Sequence, residues 1–278
     1  MKNKWQGFGF ILLFFIGAFI LLYPDIASWW ASRNHTGLIE QYQRVIEEVP
    51  NEEIEHHFEL ARTYNASLAG ANIEDPFIAG SGFIIPDNYY DVFNLHRSMG
   101  FIEIPAIDVR IPIYHGTGDD VLDRGVGHIP QTPFPIGDIG NHSVLTGHSG
   151  IPNSRLFTDL ELLREGDLFF VTIANKKMAY KIDQITVVLP HEISDLRNHP
   201  NKDLITLVTC TPYAINSHRL LVRGQRTEYI PQIEADIESL VTVVNWRMIL
   251  VASILLFFAV STLVYRRFQS KALKKAKD

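Results

Sequence analysis

Three residue types that can together make and break an acyl bond stand in short, distinctive surroundings: a thiol at Cys210, an imidazole at His148 and a guanidinium at Arg219. Cys210 is the only cysteine among 278 residues. It closes the apolar, β-branched run Leu204-Ile-Thr-Leu-Val-Thr-Cys210, which reads as a buried strand stopped by Pro212. A thiol at its reference pKa of about 8.5 is only a few per cent thiolate at neutral pH, so a nucleophilic role needs a proton acceptor, a positive neighbour or both. His148 sits in Thr146-Gly-His-Ser-Gly150, where the flanking glycines let the backbone turn and leave the ring unobstructed. On spacing alone a structural histidine is an equal reading, and His142 and His218 compete for the same role. His56 and His57 fall in a polar helix, His191 and His199 in loops. Arg219 heads the strand Arg219-Leu-Leu-Val-Arg223 and suits either an oxyanion or a salt bridge at a barrel rim. Arg223 and Arg226 are its rivals. A regular strand puts Arg219 and Arg223 on one face.

The elements that must position these groups are mainly strands. Candidates are 100–104, 109–114, 143–146, 168–173, 178–188, 204–210 and 219–225, separated by turn signals at Gly116-Thr-Gly118, 133–140, 175–176 and 201–203. So many short strands with one or two helices predict a closed or nearly closed β-barrel rather than a parallel α/β sheet. Before them, residues 35–64 read as two helices broken at Pro50, with Leu38, Tyr42, Val45 and Ile46 on one face. Asn51 is the expected N-cap of the second, and Glu52 and Glu53 suit the positive end of its dipole. Residues 65–87 read as loop. Leu156, Phe157, Leu160 and Leu163 predict an amphipathic helix ending at Gly166, and 231–244 reads as a linker.

Both ends of the chain carry apolar runs: Phe8–Tyr23 after Lys2 and Lys4, and Met248–Tyr265 before Arg266, Arg267, Lys271, Lys274, Lys275 and Lys277. Each is near the length that crosses a bilayer, and the flanking cations put both tails in the cytoplasm with the middle outside. A secretory signal also fits the first run, but no Ala-x-Ala site follows it near Ala27 and Ala31, which favours a retained anchor. An exported chain with one cysteine makes no internal disulfide. The net charge is −6, the tails are basic, and the intervening residues carry −13. So acidic a middle excludes nucleic acid as a partner, because phosphate contacts need clustered Lys and Arg. The basic tail suits anionic lipid headgroups of the bilayer. No zinc, EF-hand, Walker or dinucleotide spacing occurs, so neither metal nor cofactor is indicated.

Thr-Leu-Val-Thr-Cys210 with a following arginine, and Val-Leu-Thr-Gly-His148 about sixty residues upstream, resemble the motifs of the sortases, the cysteine transpeptidases of Gram-positive cell surfaces. Thr209-Cys-Thr-Pro-Tyr213 with Asn216-Ser-His-Arg-Leu-Leu-Val-Arg-Gly224 is similar to the pilus-assembling class C in particular. The resemblance runs from about Leu38 through the second apolar run and departs at Ser149 and Ser217, where the class often has Arg and Thr. It implies an eight-stranded sortase barrel with N-terminal helices, a lid loop and two flanking membrane helices. Cys210 would be the nucleophile, His148 the general acid/base and Arg219 the residue that holds substrate and oxyanion. The substrate implied is an LPXTG-like sorting signal, cut between Thr and Gly and joined to a lysine amine of the next pilin. Asp75-Pro76-Phe77 matches the class C lid: Asp75 would pair with Arg219, Phe77 cover the sulfur and Pro76 fix the backbone between them. The chain then divides into an N-terminal signal or anchor (1–34), helices (35–64), a lid region (65–98), the barrel (99–230), a linker (231–247), a C-terminal span (248–265) and a basic tail (266–278). Other readings are a sortase anchoring proteins to peptidoglycan, a hydrolytic surface cysteine peptidase, and a non-enzymatic tethered module.

Overall fold

The computed structural model describes residues 2–68, 85–151, 154–192 and 194–240, together with 249 and 253–255. By chain contacts it divides into two units, one of 1–27 with 243–278 and one of 28–242; the second holds the barrel. The expected lid residues Asp75, Pro76 and Phe77 and most of the second apolar run lie outside the described residues.

Eight strands close into a barrel: β1 (Gly100–Ile104), β2 (Val109–His115), β3 (Val126–His128), β4 (His142–Thr146), β5 (Leu168–Ile173), β6 (Lys176–Val188), β7 (Leu204–Thr211) and β8 (His218–Thr227). Around the barrel they run β1-β2-β3-β4-β7-β8-β6-β5, and β5 pairs back with β1. Every pairing is antiparallel except β2 with β3 and β4 with β7. β3 has no counterpart among the sequence-predicted strands, because three residues are too few to show a period of two.

The period-two alternation sorts side chains on β4, β7 and β8 between two apolar clusters. Leu145, Ile205, Leu207, Leu220 and Val222 enter the main core inside the barrel. Val144, Val208 and Leu221 point to the other face and pack with Ile129 and Leu196 in a small cluster of their own. The candidate site grows from that second face.

The helices are α1 (Lys2–Glu48), α2 (Asn51–Ser67), α3 (Asp119–Leu122, a single turn) and α4 (Pro231–Leu240). α1 buries Ile39, Tyr42 and Ile46, and α2 buries Ile54, Phe58, Ala61 and Tyr64, each set at helical spacing. The Tyr42 hydroxyl donates to the Met99 carbonyl at 2.8 Å and accepts from the Ala174 amide at 2.7 Å, which pins α1 beside β1 and β5. Pro50, not Asn51, occupies the cap of α2. Its carbonyl accepts the amides of Glu53 and Ile54, and its extended ψ of 140° keeps it out of the helix, so Asn51 is the first helical residue.

Three further expectations need correction. Leu156, Phe157, Leu160 and Leu163 are buried as predicted, but only a 3-10 turn forms, over Thr158–Leu162. Leu156 has φ 37°, which no α-helix accommodates. Within 65–87, α2 continues to Ser67 and a 3-10 turn starts at Asp87. Residues 231–240, read as linker, form α4, whose Glu234 is buried against the barrel. Among the described residues no helix is long and apolar enough to cross a membrane, so neither expected span gains support there.

Candidate active site

Residue by residue, the site is a row across three neighbouring strands. In the β7–β8 ladder Cys210 lies directly opposite Arg219. Side chains so paired share a face, with Cβ atoms about 5 Å apart. β4 runs parallel to β7, its last ladder pair being Thr146 with Val208, and the Gly147 amide still donates to the Val208 carbonyl at 3.1 Å. His148 follows two residues beyond Thr146, level with Cys210 two residues beyond Val208. The side chains of Cys210 and Arg219 therefore share one end of β7 and β8, on the face that carries Val144, Val208 and Leu221, and His148 stands in the segment that leaves the neighbouring end of β4. His148 and Cys210 are half-buried, and Arg219 is buried.

Backbone contacts fix the segment that carries His148. Thr209 Oγ1 donates to the Gly147 carbonyl at 2.7 Å, bolting the cysteine strand to the histidine strand. The Phe157 amide donates to the His148 carbonyl at 3.1 Å, and its fully buried ring lies against Gly147, where a Cβ would stand 2.9 Å from it. Arg219 Nη1 donates to the carbonyls of Asn216 (3.3 Å) and His218 (3.2 Å). Cys210 is followed by a cis peptide between Thr211 and Pro212.

The rivals are occupied elsewhere. His142 is buried, with Nδ1 at 2.8 Å from the Arg197 carbonyl and Nε2 at 2.7 Å from Thr206 Oγ1; burial pushes its pKa down to about 4. His218 has its Nδ1 at 2.8 Å from Ser217 Oγ, opposite Thr211 rather than Cys210. Arg223 makes a bidentate pair with Asp183, Nε to Oδ1 at 2.9 Å and Nη2 to Oδ2 at 3.0 Å. Arg226 stacks over Tyr180. Thr209 and Phe157 escaped sequence reasoning, since a β-branched residue in a strand and an apolar residue in a helical pattern both read as packing alone. Among the described residues no group of three His, Cys, Asp or Glu could hold a metal ion.

With this geometry in hand, comparison with known proteins is specific. Residues 102–227 match the sortase domain model. Sortase C-1 of Streptococcus pneumoniae is 39% identical with a TM-score of 0.65, over 69% of this chain and 98% of that one. A pilus-related sortase C of Group B Streptococcus is 38% identical with a TM-score of 0.63, over 68% and 97%. Sortase C-1 of Actinomyces oris is 42% identical with a TM-score of 0.61, over 63% and 99%. Among curated relatives, sortase A of Streptococcus agalactiae is 31% identical over 131 residues, 46% of this chain and 52% of that protein. The chain spans about half the length of that relative and of sortase SrtE1 from Streptomyces coelicolor. The chain belongs to the sortase family.

Proposed function

We propose that the protein is a class C sortase: a membrane-anchored cysteine transpeptidase that polymerises pilins. The observation that carries this reading is the register that sets Cys210 opposite Arg219, on a strand whose parallel neighbour ends two residues before His148. Likeness to a pilus-related sortase C adds the pilin substrate class. In this scheme Cys210 passes its thiol proton to His148 as its sulfur attacks the threonine carbonyl of an LPXTG-like signal, and Arg219 holds the resulting oxyanion. His148 gives a proton to the glycine amine as the C–N bond breaks, leaving a thioester on Cys210. A lysine amine of the next pilin attacks that thioester and loses a proton to His148. The C–S bond then breaks, the thiol is restored and an isopeptide bond remains.

Intact-mass spectrometry of the full-length chain in detergent, incubated with an LPXTG-bearing pilin, tests the scheme. A Cys210-dependent acyl adduct and lysine-linked pilin multimers are expected, and Cys210→Ala should give neither. Cleavage without multimers would point to a hydrolase or to a peptidoglycan acceptor, and no adduct at all would overturn the reading.

Anchoring and access belong to the same proposal. The runs 8–23 and 248–265 would hold the chain in the bilayer, with both tails cytoplasmic and the barrel outside. Supporting this, Leu13, Phe19 and Ile20 of α1 are each more than 60% exposed, a cost in water that lipid would remove. Asp75, Pro76 and Phe77 would form the lid over Cys210, on the strength of their motif. Substituting Asp75 or Phe77 by Ala should then speed labelling of Cys210 by a thiol reagent; equal rates would argue against a closed lid.

A further inference from the structure

One short loop touches both Arg219 and the segment that carries His148. Residues 212–217 join β7 to β8, and the amides of Ile215 and Asn216 both donate to the Pro212 carbonyl, at 3.0 and 2.9 Å. Ala214 and Asn216 adopt φ of 64° and 59°, which turns the chain back on itself. On one side the Asn216 carbonyl accepts from Arg219. On the other, the Tyr213 ring lies over Gly150 of the His148 segment. A Cβ built on Gly150 would stand 3.0 Å from Cε2 of that ring and 3.3 Å from Cδ2, and φ at Gly150 is 78°. Glycine is thus required there twice over, for the backbone conformation and for the approach of the ring.

The same segment is gripped from within. The Gly150 amide donates to Thr158 Oγ1 at 2.9 Å, and the Phe157 amide to the His148 carbonyl. Tyr213 presses on the segment from the cysteine side. Tyr213 is 59% exposed, so it adds little to global stability. Its contact is local, between the loop that follows the nucleophile and the loop that carries the imidazole.

We propose that Tyr213 is a positioning residue: by packing on Gly150 its ring holds the His148 segment at the distance from Cys210 that proton transfer requires. This rests on the transpeptidase reading above. Proton transfer demands approach to about 3 Å, and small displacements of an acid/base group cost rate steeply.

The test compares Tyr213→Ala and Tyr213→Phe with the wild type, as full-length chains in detergent. Two readouts are used: single-turnover acylation of Cys210 by a synthetic LPXTG-type peptide, and hydrogen–deuterium exchange over residues 147–158. Tyr213→Ala should slow acylation about tenfold or more, while the peptide concentration for half-maximal rate stays within about twofold. Exchange at 147–158 should rise. Tyr213→Phe, which keeps the ring, should restore both. Unchanged exchange or unchanged acylation in Tyr213→Ala, or equal losses in Tyr213→Phe, would overturn the proposal. If the wild type itself forms no adduct, the transpeptidase reading falls, and exchange still decides whether Tyr213 holds the segment.

Discussion

Three arginines crowd β8, and their surroundings give each a different task. Arg223 is tied to Asp183, around which the β6 ladder slips: Ile182 pairs with Gly224, and the next pair is Gln184 with Arg223. Such a bulge re-aims a side chain, here towards the guanidinium. Arg219, one step from the loop, faces the thiol. Arg219→Gln should therefore lower acylation of Cys210 by about a hundredfold. Arg223→Gln should keep acylation but cost about 1 kcal/mol of stability, because Asp183 loses its bidentate partner and keeps only Lys202 at 3.8 Å. Thermal melts and single-turnover rates on the two variants decide it, and an exchange of the two phenotypes would sink the assignment. From sequence these arginines read alike, because period two puts Arg219 and Arg223 on one face. What separates them is a carboxylate forty positions away and a ladder register, neither of which spacing encodes. Cys210 and His148 were candidates by type alone, a single thiol and an imidazole near two glycines, with His142 and His218 as rivals to the second.

Among the elements, α4 has the least expected role. Its Glu234 meets Lys177, which also pairs with Glu103 at 2.7 Å, and Glu103 pairs with Arg110 at 2.9 Å. Tyr229 donates to the second oxygen of Glu234 at 2.7 Å, and the Lys177 ammonium lies over the rings of Phe170 and Tyr229. Removing the shared cation would leave two largely buried carboxylates facing each other. Lys177→Met should cost about 3 kcal/mol and make the chain after Tyr229 sensitive to protease, and adding Glu234→Gln should recover part of the loss. Denaturant melts with limited proteolysis check both; a neutral Lys177→Met would show that α4 docks without the ammonium. The sequence concealed α4 because acidic residues followed by apolar ones resemble a rising linker, and the lysine that receives Glu234 lies on a distant strand. The strands fared better: seven were legible from β-branched runs between turn signals, and only the three-residue β3 was missed.

For the molecule as a whole, buried histidines opposed by one buried aspartate set the response to acid, and burial lowers the pKa of His35 and His115 as well. Burial holds the pKa of His128 down to about 3 and that of His142 down to about 4, and raises that of Asp203 to about 6. Below pH 6.5 the unfolded chain protonates both histidines while the native barrel resists, so their contribution is lost as pH falls towards 4. Asp203 acts in the opposite sense, stabilising below about pH 4 and losing that contribution as pH rises through 6. Two histidines outweigh one aspartate, so the melting temperature should drop between pH 6.5 and 4.5, and His142→Gln should flatten the slope. A melting temperature that rose on acidification would contradict this. The order of strands bears on something else. β1 stands four strands from β7 in either direction around the barrel. Tyr42 of α1 is fixed to Met99 and Ala174, next to β1 and β5, while Glu234 of α4 is fixed to Lys177 at the start of β6. Tension arriving through either helix would be borne by the wall of β1, β5 and the first residues of β6. His148, Cys210 and Arg219 stand off that load path, so strain entering through α1 or α4 would leave their spacing unchanged.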